Sequence, residues 1–223
     1  VNAVLTHFNN KNLAQAAPAV GRSASIRFVD EADGKVSADL QPATVQETDL
    51  TRAITARQCT RSNFSGKPVA NDAMNALVAA SRQEGVEAAF ITDRKRIEDV
   101  LELIVAGNAR QLADAAFVAE LKSWMRFNPS AAMSARDGLF SACSGNPSLP
   151  GWVGSRVVSL VMKAESENTK IAEQVRSSAG LVVFSSLVND RKHWFEAGRA
   201  YERFALRATA LGIRNAHLNQ PVE

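Results

Sequence analysis

Arg57 and Arg61 stand four residues apart in the segment Arg57-Gln58-Cys59-Thr60-Arg61-Ser62-Asn63-Phe64, which runs on to Pro68-Val69. Two guanidinium groups at this spacing, where a helix gives way to a loop, can clamp a phosphate through charge-assisted, forked hydrogen bonds. Taken alone, the pair is better explained as two solvated side chains. Other chemistries have less to stand on. There is no G-x-S-x-G elbow, no Walker A loop, no G-x-G-x-x-G after a strand and no H-E-x-x-H, so hydrolase, phosphoryl-transfer and zinc readings lose ground. His7, His193 and His217 are far apart and lack neighbours at ligand spacing. Each reads as a surface or capping residue, with His193 opening the last long helix. The two cysteines, Cys59 and Cys143, cannot frame a disulfide scaffold and match no zinc motif.

The composition is that of an ordinary globular protein. Of 223 residues, 46% are hydrophobic and 22% charged, and twelve Gly with seven Pro exclude collagen-like or low-complexity chains. The length suits one large domain or two small ones. A formal charge of +3 comes from 26 basic and 23 acidic side chains spread along the chain, which argues against a nucleic-acid face. The cluster Arg94-Lys95-Arg96 after Asp93 reads as the solvated first turn of a helix. No apolar run approaches the roughly 20 residues needed to cross a bilayer, and no membrane partner is expected.

The elements that must hold such a segment follow from periodicity and punctuation. Val1 to Val20 reads as a helix. Ile26 and Phe28, the turn Asp33-Gly34, and Val36, Ala38 and Leu40 read as a hairpin. Glu47 to Gln58 is helical, and so is Ala70 to Glu84, with Met74, Leu77 and Val78 inward and Gly85 as its stop. Val86 to Ile91 is a strand. Arg94 to Arg126 reads as two helices broken at Gly107-Asn108. Asn128-Pro129 breaks the pattern, Ser141 to Pro150 is an irregular loop, Val157 to Lys163 is helical or extended, and Asn168 to Ser177 is a short helix. The apolar run Leu181 to Phe184 reads as a central strand covered on both faces. Lys192 to Leu211 is the best helix, with Ala197, Tyr201, Phe204, Ala208 and Leu211 as its core stripe. Glu196, Arg199, Glu202, Arg203 and Arg207 fill its polar positions, and Gly212 stops it. Strands interleaved with long helices, after an early hairpin, predict an α+β domain with a mixed sheet.

The basic R-x-x-x-R stretch with a following aromatic and Pro-Val pair resembles the early signature of the flavin-dependent nitroreductases. Further blocks extend the likeness: Trp124-Met125-Arg126-Phe127, Arg136-Asp137-Gly138-Leu139, Gly145-Asn146-Pro147, Ser177-Ser178-Ala179-Gly180-Leu181, Trp194 through Ala197-Gly198-Arg199, and Leu211-Gly212-Ile213 leading to Leu218-Asn219-Gln220-Pro221-Val222-Glu223. Together they resemble the Acg-like (Tat-pathway signal) branch of that superfamily over about residues 48–223. The resemblance implies an α+β nitroreductase-like mixed sheet packed between helices, with non-covalent FMN between two nitroreductase-like halves or subunits. It divides the chain into a remnant of a first half, residues 1–46, and an FMN domain, residues 47–223, whose C-terminal strand and tail are missing. It also implies that Arg57 and Arg61 contact the cofactor phosphate, that Gln58 and Cys59 line the same loop, and that Asn219 and Gln220 add contacts. Cys59 stands where the family often has Ser, a swap that keeps size but gives a weak donor; a small buried filler is the alternative role.

A flavin itself accepts and donates the hydride, so no catalytic side chain and no metal are expected. The function implied is hydride transfer from NAD(P)H through FMN to a nitro-aromatic, quinone or similar electron-poor acceptor, in a homodimer or pseudo-dimer. Two alternatives stand beside it: a protein that binds or sequesters FMN without turnover, and a cofactor-free interaction fragment. The compartment, cytoplasmic or periplasmic, stays open.

Overall fold

The computed structural model describes residues 12–29, 35–144, 148–151, 153 and 164–222. Among them, Asn12 to Ala16 is helical and Ala17–Val20 forms a 3-10 turn closed by Gly21 at φ 69°. The rest of the expected first helix, the Asp33-Gly34 turn, Gly145-Asn146-Pro147 and Val157 to Lys163 lie outside the described residues. The hairpin forms as read, with β1 (Arg22–Val29) antiparallel to β2 (Lys35–Pro42) and Ile26 opposite Ala38, Phe28 opposite Val36. Helices follow at α1 (Asp49–Ala56) and α2 (Asn71–Ser81), then β3 (Glu87–Ile91), α3 (Arg94–Ala113) and α4 (Ala115–Trp124). Two short strands, β4 (Met125–Arg126) and β5 (Leu139–Phe140), flank α5 (Pro129–Ala135). The chain continues with α6 (Ala164–Ser177), β6 (Leu181–Ser185) and α7 (Arg191–Ala210).

The α+β class is what the structure shows. Its described strands pair two by two, β1 with β2, β3 with β6 and β4 with β5, where the expectation had one mixed sheet. The expectation of a central β6 is overturned as well. It pairs only with β3 among the described residues, and Val183 is 41% exposed while Val182 and Phe184 pack on the core. One face of this ladder is covered by helices, so the apolar run alternates after all.

The described chain forms two compact units. The first comprises the described parts of Val1–Thr60, Lys67–Ile91 and Leu181–Asn215; the second comprises those of Arg61–Gly66, Thr92–Gly180 and Ala216–Glu223. In the first unit α7 is the hub, packed against by α1, α2 and β6. Leu77, Phe204 and Ala208 are buried together, with Phe90, Val182, Phe184, Tyr201 and Ile213 around them. The rings of Phe184, Tyr201, Phe204 and Phe90 meet edge to face at centroid distances near 6 Å, the geometry favoured by aromatic quadrupoles. The hairpin docks through Phe28 on Phe195, 5.7 Å apart. The expected stripe on α7 holds at Tyr201, Phe204 and Ala208, while Leu211 is 41% exposed. Gly212, at φ 71°, closes the helix: Ile213 donates to the carbonyl of Ala208 and Gly212 to that of Thr209, the paired bonds of a left-handed helix stop.

In the second unit α3 packs on α6 and meets α4 end to end. Asp93 caps α3 by accepting from the Arg96 N–H, leaving Arg94, Lys95 and Arg96 in an exposed first turn. The expected break at Gly107-Asn108 does not occur; α3 runs through both residues and ends at Asp114, which caps α4. The reason is tertiary. A Cβ at Gly107 would overlap the backbone carbonyl of Gln220, and Asn108 donates to Asn168 Oδ1 at 2.7 Å across to α6. Asn128-Pro129 likewise starts a helix, since Asn128 caps α5 and Pro129 takes the first position, where no N–H is needed. Gly85 does not stop α2, which ends at Ser81. It serves instead, at φ 73°, the turn closed by Val86 on Gln83, while Arg203 donates to the Arg82 carbonyl and to Gln83 Oε1. None of the described helices is long and apolar enough to cross a membrane.

Candidate functional site

Thr48 caps α1 in a reciprocal box with Thr51, which fixes where the helix begins and therefore which residues face α7. Ala53 is 3% exposed at that contact, small enough to bring the two helix backbones close. Arg57 lies four residues on, along the same face. Its backbone leaves the helix in an extended conformation (φ −64°, ψ 131°), its N–H still donating to the Ala53 carbonyl. The side chain, 23% exposed, turns onto α7 and meets Glu202, with Arg57 Nε 3.3 Å from Glu202 Oε1.

Glu202 is wholly buried, and neither carboxylate oxygen accepts a hydrogen bond from the described residues. Its place among the polar positions of α7, opposite the core stripe, is therefore corrected: it belongs to the buried side. Burial drives its pKa up to about 7, against the opposing pull of the Arg57 charge; the ion pair does not repay the loss of hydration. Tyr201, the next residue, is pushed up to about 12, mainly by burial and then by Cys59 and Glu202, with Arg57 opposing. Its hydroxyl donates to Asn215 Oδ1 at 3.5 Å, and the Asn215 Nδ2 is buried without a partner among the described residues. The segment after Arg57 runs extended beside Asn215: Cys59 forms a parallel bridge with it, and the Thr60 N–H donates to its carbonyl at 2.8 Å. Arg57, Cys59, Tyr201, Glu202 and Asn215 thus form one polar cluster within the first unit. It combines a fixed cation, a tyrosine held protonated at neutral pH, and a carboxyl that exchanges its proton there.

Of the sequence-derived candidates, Arg57, Gln58 and Cys59 belong to the first unit, and Arg61, Asn219 and Gln220 to the second. Gln58, Cys59 and Arg61 are exposed; the alternative of Cys59 as a buried filler is therefore overturned. Asn219 and Gln220 are half-buried in a turn closed by Val222 on Asn219, and the Gln220 side-chain oxygen is buried without a partner among the described residues. Glu202 and Asn215 were missed by sequence reasoning. For Glu202 a signal existed, since it is seven residues after Phe195 and four before Leu206, both wholly buried. Asn215 follows the helix stop without any pattern to mark it.

Cys143 is also a free, exposed thiol. His193 stands in the first turn of α7, as read, but the cap is Asp190: the His193 N–H donates to Asp190 Oδ1 at 2.8 Å and His193 Nδ1 lies 2.7 Å from the same oxygen, and these bonds hold the Asp190 carboxyl below its ordinary range. Among the described residues no three His, Cys, Asp or Glu side chains converge on a metal position. Set against known protein families and curated proteins, the sequence matches none.

Proposed function

We propose that the chain is an FMN-dependent oxidoreductase of nitroreductase type, with Arg57 as a ligand for the cofactor's phosphate. One observation carries the reading. The R-x-x-x-R block and the chain leaving the Leu211-Gly212-Ile213 block, far apart in sequence, meet where the Thr60 N–H donates to the Asn215 carbonyl at 2.8 Å. That contact holds Arg57 to Thr60 in an extended run with Gln58 and Cys59 outward. An anionic tail fits this stretch, which presents a guanidinium and polar side chains at the protein surface. Bound FMN would take a hydride from NAD(P)H and pass it to an electron-poor acceptor. The chain's own part is to hold the anionic end, with Arg57 supplying charge and Tyr201 remaining a neutral hydrogen-bond donor. Arg61, Asn219 and Gln220 belong to the second unit and take no part in this reading.

The test is an FMN titration of the whole chain followed by flavin fluorescence, then addition of NADPH or NADH and a nitro-aromatic. Saturable binding weakened at least tenfold by Arg57→Ala, with bleaching by the nicotinamide and recovery on adding the acceptor, is the expected result. Binding without bleaching would leave a flavin-sequestering protein. No binding at all would sink the proposal.

A further inference from the structure

Glu202 is a titratable side chain with no exposed surface, and among the described residues both its oxygens lack hydrogen bonds and its one ionic neighbour is Arg57 at 3.3 Å. Buried carboxylates are normally satisfied by several donors, and one left with a single cation at this distance is held in place by that cation's charge alone. Arg57 is different, because its side chain reaches the surface beside Gln58 and Cys59. One guanidinium is thereby shared between an inner carboxylate and whatever anion arrives from outside. Two anions on one cation in a poorly hydrated site repel, and the buried one can relieve the repulsion only by protonation.

We propose that Arg57 and Glu202 form a proton-linked anion site, in which a phosphate- or sulfate-type anion engages the guanidinium from the surface while Glu202 takes up one proton from solvent. This rests on the reading of Arg57 as an anion ligand. It adds a regulation which that reading does not contain: affinity that rises as pH falls through neutrality. The position of the Glu202 equilibrium, near 7 before any anion is bound, makes the linkage visible in the ordinary pH range.

Other groups that could impose the same dependence are few. From α1 come Arg57 and the exposed Asp49–Arg52 pair; from the segment after it comes exposed Cys59. On α7 itself lie Glu196, Arg199, Tyr201, Arg203 and Arg207 within two turns of Glu202, Arg203 being bonded to Arg82 and Gln83, while Arg191, Lys192 and His193 stand in its first turn, more than two turns away, with His193 on Asp190. The α2 helix carries only Asp72, in its exposed first turn, and β6 carries no titratable side chain. The hairpin's β1 offers Arg22 and Arg27, both exposed. Of these, only Glu202 combines burial with a titration near neutrality.

Sulfate is the probe of choice, because its own charge does not change between pH 6 and 8. The whole chain is titrated with sulfate at pH 6, 7 and 8, following the Arg57 Nε–H resonance, assigned by its loss in Arg57→Lys. FMN and riboflavin are run in parallel by fluorescence. The wild type is expected to bind sulfate about tenfold more tightly at pH 6 than at pH 8, because Glu202, titrating at about 7 in the free site, is already mostly protonated at pH 6 and must take up nearly a whole proton at pH 8. Glu202→Gln is expected to bind at every pH about as tightly as the wild type does at pH 6. Wild-type affinity independent of pH, an unchanged slope in Glu202→Gln, or no sulfate binding in this range would each overturn the inference. The flavin arm separates the two readings: pH-linked sulfate binding without FMN binding removes the flavin proposal alone, and FMN binding beside flat sulfate affinity removes this one alone.

Discussion

Replacing Glu202 by Gln should make the first unit more stable at alkaline pH and leave it nearly unchanged in acid. The folded chain holds the Glu202 proton up to about pH 7, whereas an unfolded glutamate releases it near its ordinary value of 4.5. Between these values the folded state binds more protons than the unfolded one, so the stability due to this group is complete below pH 4.5. It is lost as pH rises through 7. At about 1.4 kcal/mol per unit, the loss by pH 8 is about 3 kcal/mol. A glutamine mimics the protonated acid in size and neutrality and leaves Arg57 in the same situation, so the two proteins compare like for like at low pH. Urea unfolding at pH 4.5, 6 and 8 measures this, with Trp194 on α7 as the sole fluorescent reporter after Trp124→Phe and Trp152→Phe. The variant should exceed the wild type by about 3 kcal/mol at pH 8 and by almost nothing at pH 4.5. Curves that stay parallel across the series would refute the burial argument for Glu202.

Gly107→Ala should destabilise the second unit by about 1–3 kcal/mol, because a methyl there must displace the Gln220 backbone. A melting temperature equal to or above the wild type's would show that the approach is looser than described. Thr48→Ala removes the cap of α1 and should lower stability by about 1 kcal/mol at both pH 6 and pH 8. The absence of pH dependence distinguishes it from changes at Glu202, and a loss confined to one pH would contradict the assignment.

Elements with a strong local signal were legible in the chain. The alternation around Ile26 and Val36 marked the hairpin, the 3.6-residue period marked α2 and α7, and Gly212 marked the end of α7, because each is determined by residues a few positions apart. Boundaries set by distant partners were not. Gly107-Asn108 resembles a break, and only the Gln220 backbone and Asn168 explain why α3 continues. Val183 sits in an apolar run whose exposure depends on how many layers cover its ladder.

The candidate site divides in the same way. The chemistry of Arg57 and its neighbours is a property of residue types and spacing, so the bare sequence determined that a cation stands where a helix opens into a loop. That it faces a carboxylate is a tertiary fact. Position 202 lies on the side of α7 against which Ala53 lets α1 approach. The chain alone cannot tell a solvated glutamate from a buried one, because dehydration is decided by what packs on top. The same packing moves the proton affinity of Glu202 to the middle of the pH scale, and only the folded arrangement could decide that.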